Sequence, residues 1–131
     1  MNSDAVSSKD AFLAAEYRLA ANAIDEQNFE EAWHHLERAH VVAQDRLGLH
    51  CGSHLRMLRL AWRLRDWREV LGQLFRLALA PLGNLTGKLP VGNKGRSSVS
   101  AFAPMEISPE LRGVMAASTG RSDRSVKKSV G

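Results

Sequence analysis

Apolar positions recur along the first 80 residues at helical spacing, and polar or glycine-containing breaks divide them into four runs. Leu13, Tyr17, Ala20 and Ile24 fall at i, i+4, i+7 and i+11, one face of a helix expected over about residues 9–26. Ser7, with Asp10 three residues on, offers a weak capping box at its start. Asp25-Glu26-Gln27-Asn28 is a polar break. Phe29, Ala32, Trp33, Leu36, Ala39 and Ala43 then share a stripe, predicting a helix over 29–46 with Gly48 as its stop. A third helix is expected over 50–65, with Met57, Leu58, Ala61 and Leu64 apolar. Asp66 and Glu69 form a capping box for a fourth, over 66–80. Its inward residues read as Val70, Leu71, Leu74, Phe75 and Ala78, and Pro81 and Gly83 as its end. Trp33 and Trp67 read as core, and Trp62 as the cover of a hairpin junction or a docking surface.

The fold class is therefore all-α, two antiparallel hairpins followed by an irregular C-terminal segment. The hairpins echo each other. Gln27-Asn28-Phe29-Glu30-Glu31-Ala32-Trp33 reads like Arg65-Asp66-Trp67-Arg68-Glu69-Val70-Leu71, an offset of 38 residues. Stacked tetratricopeptide-like repeats look like this, and so does a plain four-helix bundle. Asn84–Ser100 is rich in Gly, Ser and Lys and reads as loop, a lid over the helices; Pro109–Met115 has room for one short helix. Residues 1–117 are expected to form one domain with 84–115 irregular, and 118–131 a disordered basic tail.

Charge sharpens this division. Residues 82–131 hold eight Lys or Arg against three acids, while the whole chain has a net charge of +4, so the helical body is slightly acidic. The tail makes an anion or nucleic-acid contact conceivable, but no recognition motif or row of stacking aromatics accompanies it, so nucleic acid is the weakest reading. Arg56, Arg59 and Arg63 form a stripe on the third helix, with Glu30, Glu31 and Asp45 as neutralising neighbours. A single cysteine, no apolar leader and no run of 18 apolar residues lead to the expectation of a cytoplasmic protein without a membrane span. No nucleophile elbow and no phosphate loop is present.

The candidate chemistry lies in the histidines. At about 100° per residue, His40 falls on the apolar stripe of the second helix, while His34 is on its polar side and His35 at the margin. His50 and His54, i and i+4, share the apolar arc of the third helix, and Glu16 sits among apolar residues of the first. Inward polar groups must pair with one another, with water or with an ion. Three imidazoles and a carboxylate suit zinc, iron or manganese, and Glu37, at carboxylate–histidine spacing from His40, is a further ligand or an orienting partner. The candidate metal set is thus His40, His50, His54, Glu16 and Glu37, serving metal handling or a metal-dependent reaction. The competing expectation is a non-catalytic module for a protein partner or a second copy, its histidines satisfied internally.

His35-Leu36-Glu37-Arg38-Ala39-His40-Val41, then His50 and His54 followed by Met57-Leu58, then Arg65-Asp66-Trp67-Arg68-Glu69-Val70 with Gly72-Gln73, resemble a small bacterial family catalogued as domain of unknown function 3703. Pro90-Val91-Gly92-Asn93, Val99-Ser100 and Pro104-Met105 fit it too. The resemblance spans about residues 10–115. It implies that residues 87–105 belong to the folded unit, and it carries no established activity.

Overall fold

The computed structural model describes residues 3–86, 95–96 and 106–119. Among these described residues five helices follow in order: α1 (Ser3–Asp25), α2 (Phe29–Ala43), α3 (Leu47–Arg63), α4 (Trp67–Thr86) and α5 (Pro109–Thr119). No strand occurs among the described residues, so the all-α expectation holds. α1 pairs with α2 and α3 with α4; α2 and α3 join the two hairpins, and α5 lies across α1 and α2.

The two hairpins turn in the same way. Gln27 and Arg65, 38 positions apart, both adopt left-handed backbone, with φ of 58° and 56°. Behind each, two amides reach back to the helix. Gln27 N–H and Asn28 N–H donate to Ile24 and Ala23, and Arg65 N–H and Asp66 N–H donate to Trp62 and Ala61. This is the Schellman closure, which satisfies the last carbonyls of a helix. The next residue then caps the following helix: the Asn28 side chain accepts from Glu31 N–H and that of Asp66 from Glu69 N–H. A side chain in left-handed backbone costs about 1 kcal/mol that glycine avoids. Arg65→Gly is expected to raise stability by about 0.5 kcal/mol after the entropy glycine adds to the unfolded chain. A higher urea midpoint would show it. Arg59→Gly, exposed inside α3, should lower the midpoint instead.

Two apolar clusters hold the body together. Ala20, Ala23, Trp33, Leu36, Met57, Leu60, Ala61 and Val70 join all four long helices. Leu13, Ala39, Val42, Ala43 and Leu111 join the other end of the first hairpin to α5. Glu110 fixes α5 through a two-pronged pair with Arg38, at 2.8 and 3.0 Å. Pro109–Thr119 is therefore helical and packed, and Ser118 and Thr119, expected in the tail, belong to α5. Residues 120–131 and most of the expected lid (87–94 and 97–105) lie outside the described residues.

α1 starts earlier than expected, since nothing between Ser3 and Lys9 breaks a helix. α2 stops at Ala43 and α3 starts at Leu47, so Gly48 lies inside α3 and is no stop. α4 departs most from expectation. It runs through Pro81 and Gly83 to Thr86. Proline in a helix interior costs about 3 kcal/mol, so tertiary contacts must carry the last turn. Asn84 supplies two of them, to His50 and to the Gln44 carbonyl. The buried face of α4 is Glu69, Val70, Gln73, Arg76 and Ala80. Of the residues expected inward only Val70 is buried, and Leu71, Leu74, Phe75 and Ala78 face out. Trp67 is likewise exposed and not core, standing edge-on to Trp62 with ring centroids 5.2 Å apart. The polar side of α4 is drawn inward by hydrogen bonds, described next.

Candidate metal centre

α2 contributes His40, and α3 contributes His50 and His54 from successive turns of one face. All three are buried. Their rings converge: His50 Nε2 lies 3.1 Å from His54 Nε2, and His40 Nε2 lies 3.2 Å from His54 Nε2. One ring nitrogen from each of the three falls within 4.8 Å of the other two.

The outer ring nitrogens are held by amides. Gln73 Oε1 lies 2.8 Å from His54 Nδ1, and Asn84 Oδ1 lies 2.8 Å from His50 Nδ1. The orientation of each amide is set from behind. Gln73 Nε2 donates to Glu69 Oε1 and to the Gly95 carbonyl, both at 2.8 Å. Asn84 Nδ2 donates to the Gln44 carbonyl at 3.1 Å. With the amide nitrogens committed, the amide oxygens must accept, so His54 and His50 each carry their proton on Nδ1. Their Nε2 atoms are then bare. Two lone pairs face each other at 3.1 Å inside the protein, and no proton of a neutral ring can stand between them.

Protonating a ring is opposed by the surroundings. Burial pushes His54 down to about 4, with His50 and Arg76 lowering it further and the Gln73 bond only partly opposing. Burial also lowers His50, against the Asn84 bond. Both rings are therefore neutral at pH 7, the form that binds metal. An ion with bonds near 2.0 Å in tetrahedral angles needs ligand nitrogens about 3.3 Å apart. The His50–His54 and His40–His54 separations of 3.1 and 3.2 Å are close to that, while the His40–His50 pair, within 4.8 Å, closes up where a single ion takes all three.

A pH dependence follows for the metal-free protein. The folded value of His54 is depressed below the ordinary 6.5, so the unfolded chain binds more protons between the two values. Stability is then full above about pH 6.5 and falls as pH drops toward 4, by on the order of 3 kcal/mol. Urea unfolding at pH 7.5 and pH 4.5 measures it. His54→Ala should flatten that dependence.

The two candidate carboxylates are placed elsewhere. Glu16 is buried beside His35 Nδ1 at 2.6 Å and Arg38 at 3.2 Å, in the network that reaches Glu110 and α5. Glu37 lies 3.8 Å from Arg96, which also approaches Glu69 at 3.9 Å and stacks on Trp33. Among the described residues, neither belongs to the group that converges on one point. His35 is bracketed by Glu16 and Glu31, and His34 is exposed. Two of the three expected neutralising partners of the arginine stripe are also engaged elsewhere, Asp45 with Lys9 and Glu31 with His35. Arg56 instead lies over the Tyr17 ring at 3.8 Å.

Sequence reasoning missed Gln73, Asn84 and Gly95. Gly95, with φ of +85°, brings its backbone against His40 so closely that a Cβ would sit 2.8 Å from the ring. The signal for Gln73 was a polar stripe on the fourth helix, Glu69, Gln73 and Arg76 at i, i+4 and i+7.

The three histidines, Gln73 and Asn84 fall within one block of similarity to known sequences. A family model described as "Protein of unknown function (DUF3703)" matches residues 7–115. The chain belongs to this family. The match confirms the resemblance read from the motifs, and DUF3703 carries no assigned activity. No curated protein and no solved structure matches the chain. No helix among the described residues is long and apolar enough to cross a membrane.

Proposed function

We propose that this DUF3703 protein binds one transition-metal ion, zinc foremost, through Nε2 of His40, His50 and His54. The observation that carries the reading is the pair of bare Nε2 atoms of His50 and His54 facing each other at 3.1 Å, with His40 Nε2 3.2 Å from the second. A cation between them converts this repulsion into two bonds. Gln73 and Asn84 hold the rings in the tautomer that presents Nε2, as amide or carboxylate partners do behind metal-bound histidines. Three imidazoles without a carboxylate favour zinc over manganese, which prefers oxygen ligands. Three protein ligands leave one tetrahedral position to an exogenous molecule, the arrangement of zinc sites that exchange or activate what they bind.

Titration of metal-free protein with zinc, cobalt(II) and manganese(II) tests this. The expected result is one equivalent bound, zinc tighter than cobalt and cobalt far tighter than manganese, with intense cobalt visible bands of tetrahedral type. Weak cobalt bands of octahedral type, or uptake unaffected by His40→Ala, would contradict it.

A further inference from the structure

Among the described residues, α4 packs against α3 and against no other helix, and it turns an apolar stripe outward. Trp67, Leu71, Leu74, Phe75, Leu82 and Leu85 are 49–85% exposed, opposite the buried Glu69, Gln73 and Arg76. With exposed Ala78, the stripe steps by four and three residues along the helix, the spacing by which one helix packs on another. From Leu71 to Leu85 the only charged residue of the helix is Arg76, which is buried on the opposite side. Trp62 widens the stripe through its contact with Trp67.

The repeat shows what such a face is built to meet. At the offset of 38 residues set by the two left-handed turns, Trp67, Leu71, Leu74 and Ala78 correspond to Phe29, Trp33, Leu36 and His40. In α2 the last three of these are buried, and Trp33 and Leu36 pack in one cluster with Met57, Leu60 and Ala61 of the next hairpin. α4 is the second helix of the last hairpin and keeps the apolar face that α2 buries. A stack that ends in solvent carries a polar outer face there. The exposed apolar area is on the order of 800 Å² per copy, about what each side of a stable interface contributes and beyond the patches usual on monomers.

We propose that this face is a homodimer interface, in which α4 of one copy lies along α4 of a second about a two-fold axis. The surface is self-complementary because it is apolar from Leu71 to Leu85, and an antiparallel pair keeps the exposed Arg65 and Arg68 of the two copies at opposite ends. The proposal is independent of the metal reading, since the exposed residues are not ligands.

Light scattering coupled to gel filtration on the full chain, over a range of micromolar concentrations, tests it. The expected mass for the wild type is twice the 14.4 kDa of one chain. Leu71→Asp with Leu85→Asp should weaken association by at least about 100-fold, since each copy would bury unpaired carboxylates, and leave the far-ultraviolet circular dichroism unchanged. If that variant fails to fold, Leu74→Cys with Ala78→Cys, in a Cys51→Ser background, decides. The two positions flank the middle of the stripe at residue 76: in an antiparallel pair each faces the other across the axis, and in a parallel pair each meets its own copy. Oxidation should therefore link two chains, and absence of the link overturns the proposal. A wild type that is monomeric throughout overturns it too, including one that binds anionic phospholipid vesicles as a monomer. So does a folded aspartate variant that remains dimeric.

Discussion

Replacing His54 with alanine is expected to lower zinc affinity by about 10³-fold, the loss of one of three ligands from a site of ordinary zinc-binding free energy. His54 is the middle ring, with Nε2 3.1 Å from that of His50 and 3.2 Å from that of His40. Its removal also leaves Gln73 Oε1 without the Nδ1–H that now donates to it, inside the protein. The metal-free variant should therefore lose about 2 kcal/mol near neutral pH from the cavity and the orphaned acceptor. The two effects separate experimentally. Zinc should raise the melting temperature of the wild type, because a ligand that binds only the folded state stabilises it by mass action. The same zinc should leave His54→Ala unmoved. Thermal melts with and without zinc check both at once.

The second large effect is expected at Gly95→Ala. The added Cβ would lie 2.8 Å from His40 Cδ2 and 2.9 Å from Cγ and Nε2, and the φ of +85° is itself strained for an L side chain. The ring or the backbone has to move. If the backbone moves, the carbonyl that accepts from Gln73 Nε2 moves with it, so the amide behind His54 is disturbed as well. The variant should lose about 2 kcal/mol of stability and bind zinc about 10–100-fold more weakly. Gly48→Ala is the control: a Cβ there meets nothing within 4 Å, and alanine in a helix is preferred. It should be neutral or slightly stabilising, with zinc binding intact. Urea midpoints and zinc competition titrations on the two variants make the comparison.

The histidine cluster was legible because helical periodicity alone placed His40, His50 and His54 inward, on helices adjacent in sequence. Periodicity shows which way a residue faces on its own helix. It does not show which of several inward groups share a point. Glu16 faces inward as the sequence suggests, but α1 meets α2 at His35 and Arg38, so its carboxylate is engaged there. Glu37 is met by Arg96, from a segment whose path the sequence did not reveal.

α4 was misread for a physical reason. Its apolar stripe gives the stronger pattern, and inward apolar packing is the default for an isolated helix. Here the polar stripe faces in because Gln73 and Asn84 are bound to the histidines and Glu69 to Gln73. Pro81 likewise looked like a terminus, although the contacts of Asn84 keep the helix intact beyond it. The turns were legible in outline: the echo at 38 residues reappears as paired left-handed residues at Gln27 and Arg65.

The most direct test of the metal reading is elemental analysis of untagged protein alongside His40→Ala and His54→Ala. The expected result is close to one equivalent of a single transition metal, zinc foremost, in the wild type and none in either variant. Wild-type protein that carries no metal, and takes up none on titration with zinc, would contradict the reading and leave the three rings as a buried polar cluster.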